Sequence, residues 1–147
     1  MAFEIEHKYL VTNDAFRQLA TSEYRISQGY LSRNPDRTVR VRVKGDRGYL
    51  TVKGKNDGAV RREFEYEIPL KEAEELLGMC ESPVIEKIRF LVPFEGKIWE
   101  VDEFFGSKTG LVTAEIELVS ADEQYDLPPF VGENVTGNPA YYNSNLL

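Results

Sequence analysis

Acidic and basic side chains alternate with apolar residues at the start of the chain. Glu4, Glu6 and Lys8 are separated by Ile5 and His7, and in an extended strand this spacing puts the two carboxylates and the ammonium group on one face. Carboxylate oxygens are the donors that Mg²⁺ and Mn²⁺ prefer, and these ions usually share their coordination with substrate phosphates. The segment therefore predicts part of a site for a polyanion and its metal ions.

The same alternation recurs along most of the chain, and the sign of the charge changes from strand to strand. Period-two alternation rich in β-branched and aromatic residues predicts strands, with basic runs at 39–44, 50–55 and 86–90 and acidic runs at 63–68, 99–102 and 115–118. An antiparallel sheet with a solvated charged face is one interpretation. Because acids and bases segregate onto separate strands, we favour a closed sheet with its apolar face outward and two opposing charge sets inside.

The elements that must position these side chains are mostly strands. The 147 residues predict one domain, residues 1–147, of the mainly β (α+β) class: an antiparallel barrel or strongly curved sheet with peripheral helices. Helices are predicted over 12–20 and 69–78. Residues 120–137 are predicted to be irregular, and residues 138–147 a final short helix.

Composition excludes several classes of function. The net charge of −7 argues against general nucleic-acid or anionic-membrane binding. His7 is the only histidine, which excludes His-based zinc sites and Ser-His-Asp triads, and the chain has no glycine-rich phosphate loop. The single cysteine, Cys80, favours a reducing compartment. With no apolar run of membrane-spanning length and no signal-peptide pattern, we expect a cytoplasmic protein.

The chain resembles the CYTH superfamily, the triphosphate tunnel metalloenzymes. Residues 4–8 fit its ExExK signature, and the charged strands follow in the family's order through 28–31, 40–42, 50–54, 62–65, 86–89, 99–102 and 114–117. The segment 135–144 resembles the tail of compact bacterial members. The resemblance implies a closed eight-stranded antiparallel barrel around a charged tunnel, in agreement with the inside-out interpretation.

The resemblance also implies a role for each charged position. Its metal ligands would be Glu4, Glu6, Glu115 and Glu117, with Glu63 and Glu65 as further candidates for a second metal. Asp102 would either contact metal through water or hold a cation of the phosphate clamp. The clamp itself would be Arg40, Arg42, Lys53, Lys87 and Arg89, and the pair Lys8 and Tyr30 would activate water.

The function implied is hydrolysis of tripolyphosphate to pyrophosphate and phosphate with Mg²⁺ or Mn²⁺. Three other activities share the tunnel and stay open as alternatives: thiamine triphosphatase, nucleoside triphosphatase and class IV adenylate cyclase. A non-catalytic polyphosphate-binding module is the alternative of another class. The expected partner is a small-molecule triphosphate, without nucleic acid or membrane, and a homodimer is left open.

Overall fold

The computed structural model describes residues 3–146, and its strands lie where the charge alternation occurs. The strands are β1 (Phe3–Val11), β2 (Ser22–Ser32), β3 (Arg37–Lys44), β4 (Arg47–Gly54), β5 (Val60–Ile68), β6 (Glu81–Phe94), β7 (Lys97–Phe104), β8 (Val112–Glu117) and β9 (Val131–Asn134). Two helices, α1 (Phe16–Leu19) and α2 (Leu70–Leu77), lie outside the sheet.

Eight of the strands form a closed antiparallel barrel. The order around the ring is β1-β5-β4-β3-β2-β6-β7-β8, and β8 pairs again with β1. One edge of β1 is shared, because β5 pairs with Phe3–Ile5 while β9 pairs near Tyr9 and Val11. The predicted eight-stranded barrel is confirmed, with β9 as an additional strand.

The hydrophobic core lies on the outside of the barrel wall. Trp99, Phe90 and Ile116 face outward and are buried beneath Phe16 of α1 and Phe130 of the segment before β9. Phe16 meets the Phe90 ring edge-on, with ring centroids 5.2 Å apart. Burial of these apolar surfaces is the main stabilising contribution to the wall, and it leaves the other strand face free for polar side chains.

Helix α2 covers a second part of the outer surface, over β3 and β4. Its Ala73 lies so close to Gly48 that a Cβ atom at Gly48 would stand 2.5 Å from the Ala73 Cβ. Glycine at this position therefore allows the helix to approach the sheet. Neither helix within residues 3–146 has the length and apolar character needed to cross a bilayer.

Three local predictions differ from the structure. The first helix begins at Phe16, since Asn13 instead accepts a hydrogen bond from the Ala15 amide in a turn. The region 120–137 is not wholly irregular because it contains β9. The tail forms two short 3₁₀ turns, Pro139–Tyr141 and Asn143–Asn145, in place of a helix, while the last predicted helical residue, Leu147, lies outside the described residues.

Candidate active site

The inward-facing side chains of the barrel enclose one polar cavity of about 220 Å³. Most of the predicted site residues line it: Glu4, Glu6, Lys8, Tyr30, Arg40, Arg42, Lys53, Glu63, Glu65, Arg89 and Glu115. Lys87 and Asp102 are fully buried, and Glu117 is exposed at the end of β8. The period-two alternation brings residues from distant parts of the chain onto this inner surface.

The acidic side of the cavity is built on the neighbouring strands β1 and β8. Glu6 lies opposite Glu117 in the pairing, and Lys8 lies opposite Glu115. Burial, followed by repulsion from neighbouring carboxylates, raises the pKa of Glu6 well above its ordinary value of 4.5. Burial acts in the same direction on Glu115, but nearby cations, Lys8 first, outweigh it and lower its pKa to about 2.

Lys53 of β4 joins this acidic side from across the cavity. Its Nζ donates to the two carboxylate oxygens of Glu4 at 2.9 and 3.2 Å and lies 3.3 Å from Glu63. Burial would lower the pKa of Lys53, but the charges of Glu4, Glu6 and Glu63 together outweigh burial and raise this pKa. The structure therefore connects Glu4 on β1 to Glu63 on β5 through one ammonium group.

The donor set of the acidic side fits a hard divalent cation. The acidic side offers carboxylate oxygens, and the raised pKa of Glu6 reflects burial first and then crowded negative charge, which a cation would relieve. Within residues 3–146, no three Asp, Glu, His or Cys side chains are close enough to form a complete metal site. Because Mg²⁺ commonly keeps water and substrate phosphate in its coordination, such a partial set fits an ion bound together with a phosphate compound.

We expect Mg²⁺ to stabilise the protein more at about pH 8 than at about pH 5. The folded protein keeps a proton on Glu6 above 4.5, where the unfolded chain has released it, so the Glu6 contribution to stability falls as pH rises through this window. A bound cation replaces that proton. The check is the thermal midpoint of unfolding at both pH values, with KCl of equal ionic strength as control. Equal Mg²⁺-induced shifts at the two pH values would contradict it.

The basic side of the cavity is carried by β3. Arg40 donates to the Thr51 hydroxyl at 3.2 Å and to Glu65 at 3.4 Å, and Thr51 in turn donates to Glu65 at 2.7 Å. Arg42 is buried, and burial, followed by repulsion from Arg40 and another arginine, lowers its pKa to about 10. Arg42 therefore stays charged at neutral pH, and both guanidinium groups line the cavity.

Asp102 holds two further cations in place. Its carboxylate accepts from Lys87 Nζ at 2.7 Å and from two nitrogens of Arg89 at 2.8 Å. Arg89 also donates to Glu100 at 3.2 Å. Burial would raise the pKa of Asp102, but Arg89 and Lys87 lower it well below its usual range, while burial lowers the pKa of Lys87 to about 7. Both Asp102 oxygens are thus engaged by cations, a geometry that suits the second of its two predicted roles.

Lys8 and Tyr30 line the same cavity but are held by different partners. Lys8 Nζ donates to the Tyr141 carbonyl at 2.9 Å. The Tyr30 hydroxyl accepts from the side chain of Gln28 at 3.2 Å. Within the described residues, no hydrogen bond joins Lys8 to Tyr30.

The tail forms part of the cavity wall. Past the β5 pairing, the same edge of β1 is occupied first by Val135, whose amide donates to the Lys8 carbonyl at 2.8 Å, and then by β9. Arg33 donates to the Ser144 carbonyl at 2.6 Å. Leu146 packs with Tyr30 and Phe104 in an apolar cluster. The tail therefore contacts both β1 and the segment after β2, and its residues 135–137 and 142–144 line the cavity.

Several residues of this surface were not among the predicted site residues. Glu100 and Arg61 line the cavity, and Gln28 and Thr51 bond to the arginines that face it. Alternation along each strand was a usable signal, because Glu100 shares the parity of Asp102, and Arg61 that of Glu63. The tail residues carry no such signal, since they follow no strand period.

The chain is similar in sequence and in fold to known proteins. The CYTH domain model matches residues 2–142. A protein of Acetivibrio thermocellus named inorganic triphosphatase is 52% identical over 149 aligned positions, covering 100% of this chain and 94% of its own length. A Nitrosomonas europaea protein of the same name is 33% identical, with coverages of 97% and 95%. The crystal structure of an inorganic triphosphatase superimposes with a TM-score of 0.70 at 30% identity, covering 99% of this chain and 95% of that one.

Proposed function

The chain belongs to the CYTH domain family, and on that premise we propose that it is an inorganic triphosphatase, which hydrolyses tripolyphosphate to pyrophosphate and phosphate. The two relatives with the highest identities reported above both carry that name, and the chain spans nearly their whole length. The likeness of the whole fold to a solved inorganic triphosphatase supports the same activity.

The observation that carries the proposal is one cavity inside the barrel that has an acidic side and a basic side. A triphosphate needs cations along its length and metal ligands beside it, and the two sides supply them. At about 220 Å³ the cavity is smaller than the roughly 300–1,000 Å³ typical of pockets for drug-sized ligands. A bare phosphate chain suits a cavity of this size, whereas the rest of a nucleotide or a thiamine derivative would extend through its open side.

The cations are proposed to hold the phosphate chain in line for attack. Arg40 and Arg42 present planar guanidinium groups that suit phosphate oxygens, and Lys53 lines the cavity as a point charge. Lys87 is fully buried and contributes its charge from beside Asp102. Asp102 fixes Lys87 and Arg89, so the clamp is organised before substrate arrives. Fixed charges of this kind act most where charge shifts in the transition state.

A divalent cation is proposed to be held by Glu4, Glu6, Glu115 and Glu117, with Glu63 and Glu65 as further candidates. When bound, Mg²⁺ or Mn²⁺ would neutralise phosphate charge and polarise the reacting phosphoryl group. These carboxylates would hold the ion beside the cavity.

Lys8 and Tyr30 are proposed to act on the attacking water. The water oxygen bonds to a terminal phosphorus as the bridging P–O bond breaks, and the electron pair leaves with pyrophosphate. Tyr30, as tyrosinate, would accept the water proton, and Lys8 would orient the water from the other wall of the cavity.

A substrate panel tests the proposal. Tripolyphosphate, ATP and thiamine triphosphate are each incubated with the protein and Mg²⁺ or Mn²⁺, and the products are identified by ³¹P NMR. We expect the highest kcat/KM for tripolyphosphate, with equal amounts of pyrophosphate and phosphate. Cyclic AMP as the main product would establish the cyclase alternative, and tight binding without turnover would establish the binding module.

Arg40→Ala is expected to weaken substrate binding more than turnover. Loss of a charge-assisted hydrogen bond is worth about 1.5–3 kcal/mol, so KM for tripolyphosphate should rise roughly tenfold to a hundredfold while kcat falls less. Steady-state kinetics measure the two constants. Arg62→Ala is the matched control, because Arg62 lies on the outer surface against Phe64; a kcat loss without a KM change in Arg40→Ala would argue against the clamp role.

The choice of metal, the cytoplasmic location, the single domain over 1–147 and the homodimer remain predictions. The expected location rests on the single cysteine and on the sequence patterns described above. Titration of activity with Mg²⁺ and Mn²⁺ decides the metal.

A further inference from the structure

Gln28 of β2 lies between a clamp arginine and the proposed catalytic tyrosine. It is fully buried. Its Oε1 accepts from Arg42 Nε at 3.1 Å and from Arg42 Nη2 at 3.0 Å, and its Nε2 donates to the Tyr30 hydroxyl at 3.2 Å. One amide thus contacts both groups.

The chemistry of the partners fixes the orientation of this amide. Arginine carries only hydrogen-bond donors, so the Gln28 oxygen must face Arg42 and the amide nitrogen must face Tyr30. The Tyr30 hydroxyl therefore accepts from Gln28, and its own hydrogen points elsewhere. In the described part of the chain this is the only hydrogen bond to the Tyr30 hydroxyl.

We propose that Gln28 is a positioning residue that fixes the direction of the Tyr30 hydroxyl and couples it to Arg42. The inference rests on the proposed role of Tyr30 in triphosphate hydrolysis. An amide donor stabilises the tyrosinate oxygen, and it leaves the remaining lone pairs of that oxygen available to a water in the cavity. Arg42 in turn holds the amide, so the clamp and the water-activating group are oriented together.

The charges near Tyr30 are mostly positive. They come from β1, β3, β6 and the segment after β2, and are Lys8, Arg40, Arg42, Arg33 and Glu81. Glu81 is exposed and lies 3.7 Å from Arg33, whose guanidinium carbon is 5.0 Å from the Tyr30 ring centroid. These charges do not fix the direction of the Tyr30 hydroxyl, whereas Gln28 supplies a directional bond.

Gln28→Glu separates the two contacts of the amide. The new carboxylate keeps an oxygen for Arg42 but offers Tyr30 an acceptor in place of a donor. The Tyr30 hydroxyl hydrogen then points toward the carboxylate at position 28, and this negative charge disfavours tyrosinate. We expect kcat to fall roughly tenfold to a hundredfold, below the full effect of losing a general base, with little change in KM. The acidic limb of the kcat–pH profile should move to higher pH. Gln28→Met, which removes both contacts, should also raise KM.

A double-mutant cycle tests whether Gln28 acts through Tyr30. In the Tyr30→Phe background, Gln28→Glu should cause less than about a twofold further loss of kcat. Gln18→Glu on the exposed surface of α1 is the matched control and should leave both constants unchanged. A full Gln28→Glu loss that persists in Tyr30→Phe, or wild-type turnover in Tyr30→Phe, would overturn the proposal.

A second measurement is independent of turnover. With ¹³Cζ-labelled tyrosine, the Tyr30 signal is assigned by its absence in Tyr30→Phe, and it should titrate at higher pH in Gln28→Glu than in the natural sequence. Tyr9 and Tyr125, which bond to each other outside the barrel, serve as internal controls. An unchanged Tyr30 titration overturns the inference even if the protein is an active triphosphatase. A shifted titration supports it even if tripolyphosphate is not the substrate.

Discussion

Glu6→Gln is expected to reduce metal-dependent turnover of tripolyphosphate by a hundredfold or more. A metal ion contributes several kcal/mol of charge stabilisation in reactions of this class, and each 1.36 kcal/mol is worth a factor of about ten in rate. Glu6 is a proposed ligand of that ion, and burial, followed by repulsion from neighbouring carboxylates, raises its pKa. The measurement is kcat over a Mg²⁺ titration, in which saturation should move to higher Mg²⁺ concentration.

The same variant should be more stable than the natural sequence when no divalent ion is added. Removing one of several crowded negative charges lowers their mutual repulsion, so the midpoint of thermal unfolding should rise while its response to Mg²⁺ shrinks. Glu74→Gln on the exposed surface of α2 is the control and should change neither property. Full turnover in Glu6→Gln with an unchanged Mg²⁺ requirement would remove Glu6 from the metal site.

Asp102→Asn is expected to produce the largest loss of stability. The carboxylate is fully buried and compensates Lys87 and Arg89, both within 2.8 Å. Removing one partner of a buried ion pair leaves uncompensated charge and costs about 3–5 kcal/mol. Urea unfolding at neutral pH measures the loss. Turnover should fall as well, because the two cations lose the group that orients them.

The pH dependence of the natural sequence has a definite sign at this site. The pKa of Asp102 is lower in the folded protein than its ordinary value of 3.8, so its stabilising contribution is complete above 3.8 and is lost as pH falls toward the lower value. Asp102→Asn should lack this acid-side loss. Asp126→Asn, at an exposed position, is the control. Equal stability of Asp102→Asn and the natural sequence would contradict a structural role for the ion pairs.

Alternation of side chains predicted the inner and outer faces of the wall with good accuracy. Glu4, Glu6 and Lys8 face inward as their spacing requires, and His7 faces outward, where it bonds to Tyr125 at 2.6 Å. Strand periodicity shows only which face of the sheet a side chain lies on. It does not report which strands are neighbours, so the closure between β1 and β8 followed from the family resemblance.

The features that the sequence did not predict depend on contacts between distant segments. The tail lines the cavity because β5 pairs with only part of one edge of β1, which leaves the rest of that edge to later segments of the chain. No local sequence pattern encodes this incomplete pairing. The bond from Lys8 to the Tyr141 carbonyl depends on the same packing. Asp102 occupies an inward-facing position of the kind that a metal ligand would also occupy. Only its contacts with Lys87 and Arg89 favour a role in holding the clamp cations over a role as a metal ligand.

The central claim, that one tunnel holds a phosphate chain between opposing acidic and basic sides, is tested most directly by a crystal structure with Mn²⁺ and non-hydrolysable imidotriphosphate. We expect anomalous density for Mn²⁺ bonded to carboxylates of β1 and β8, and a phosphate chain that contacts Arg40, Arg42 and Arg89 inside the barrel. A well-ordered analogue bound outside the barrel, with the tunnel carboxylates free of Mn²⁺, would contradict the account.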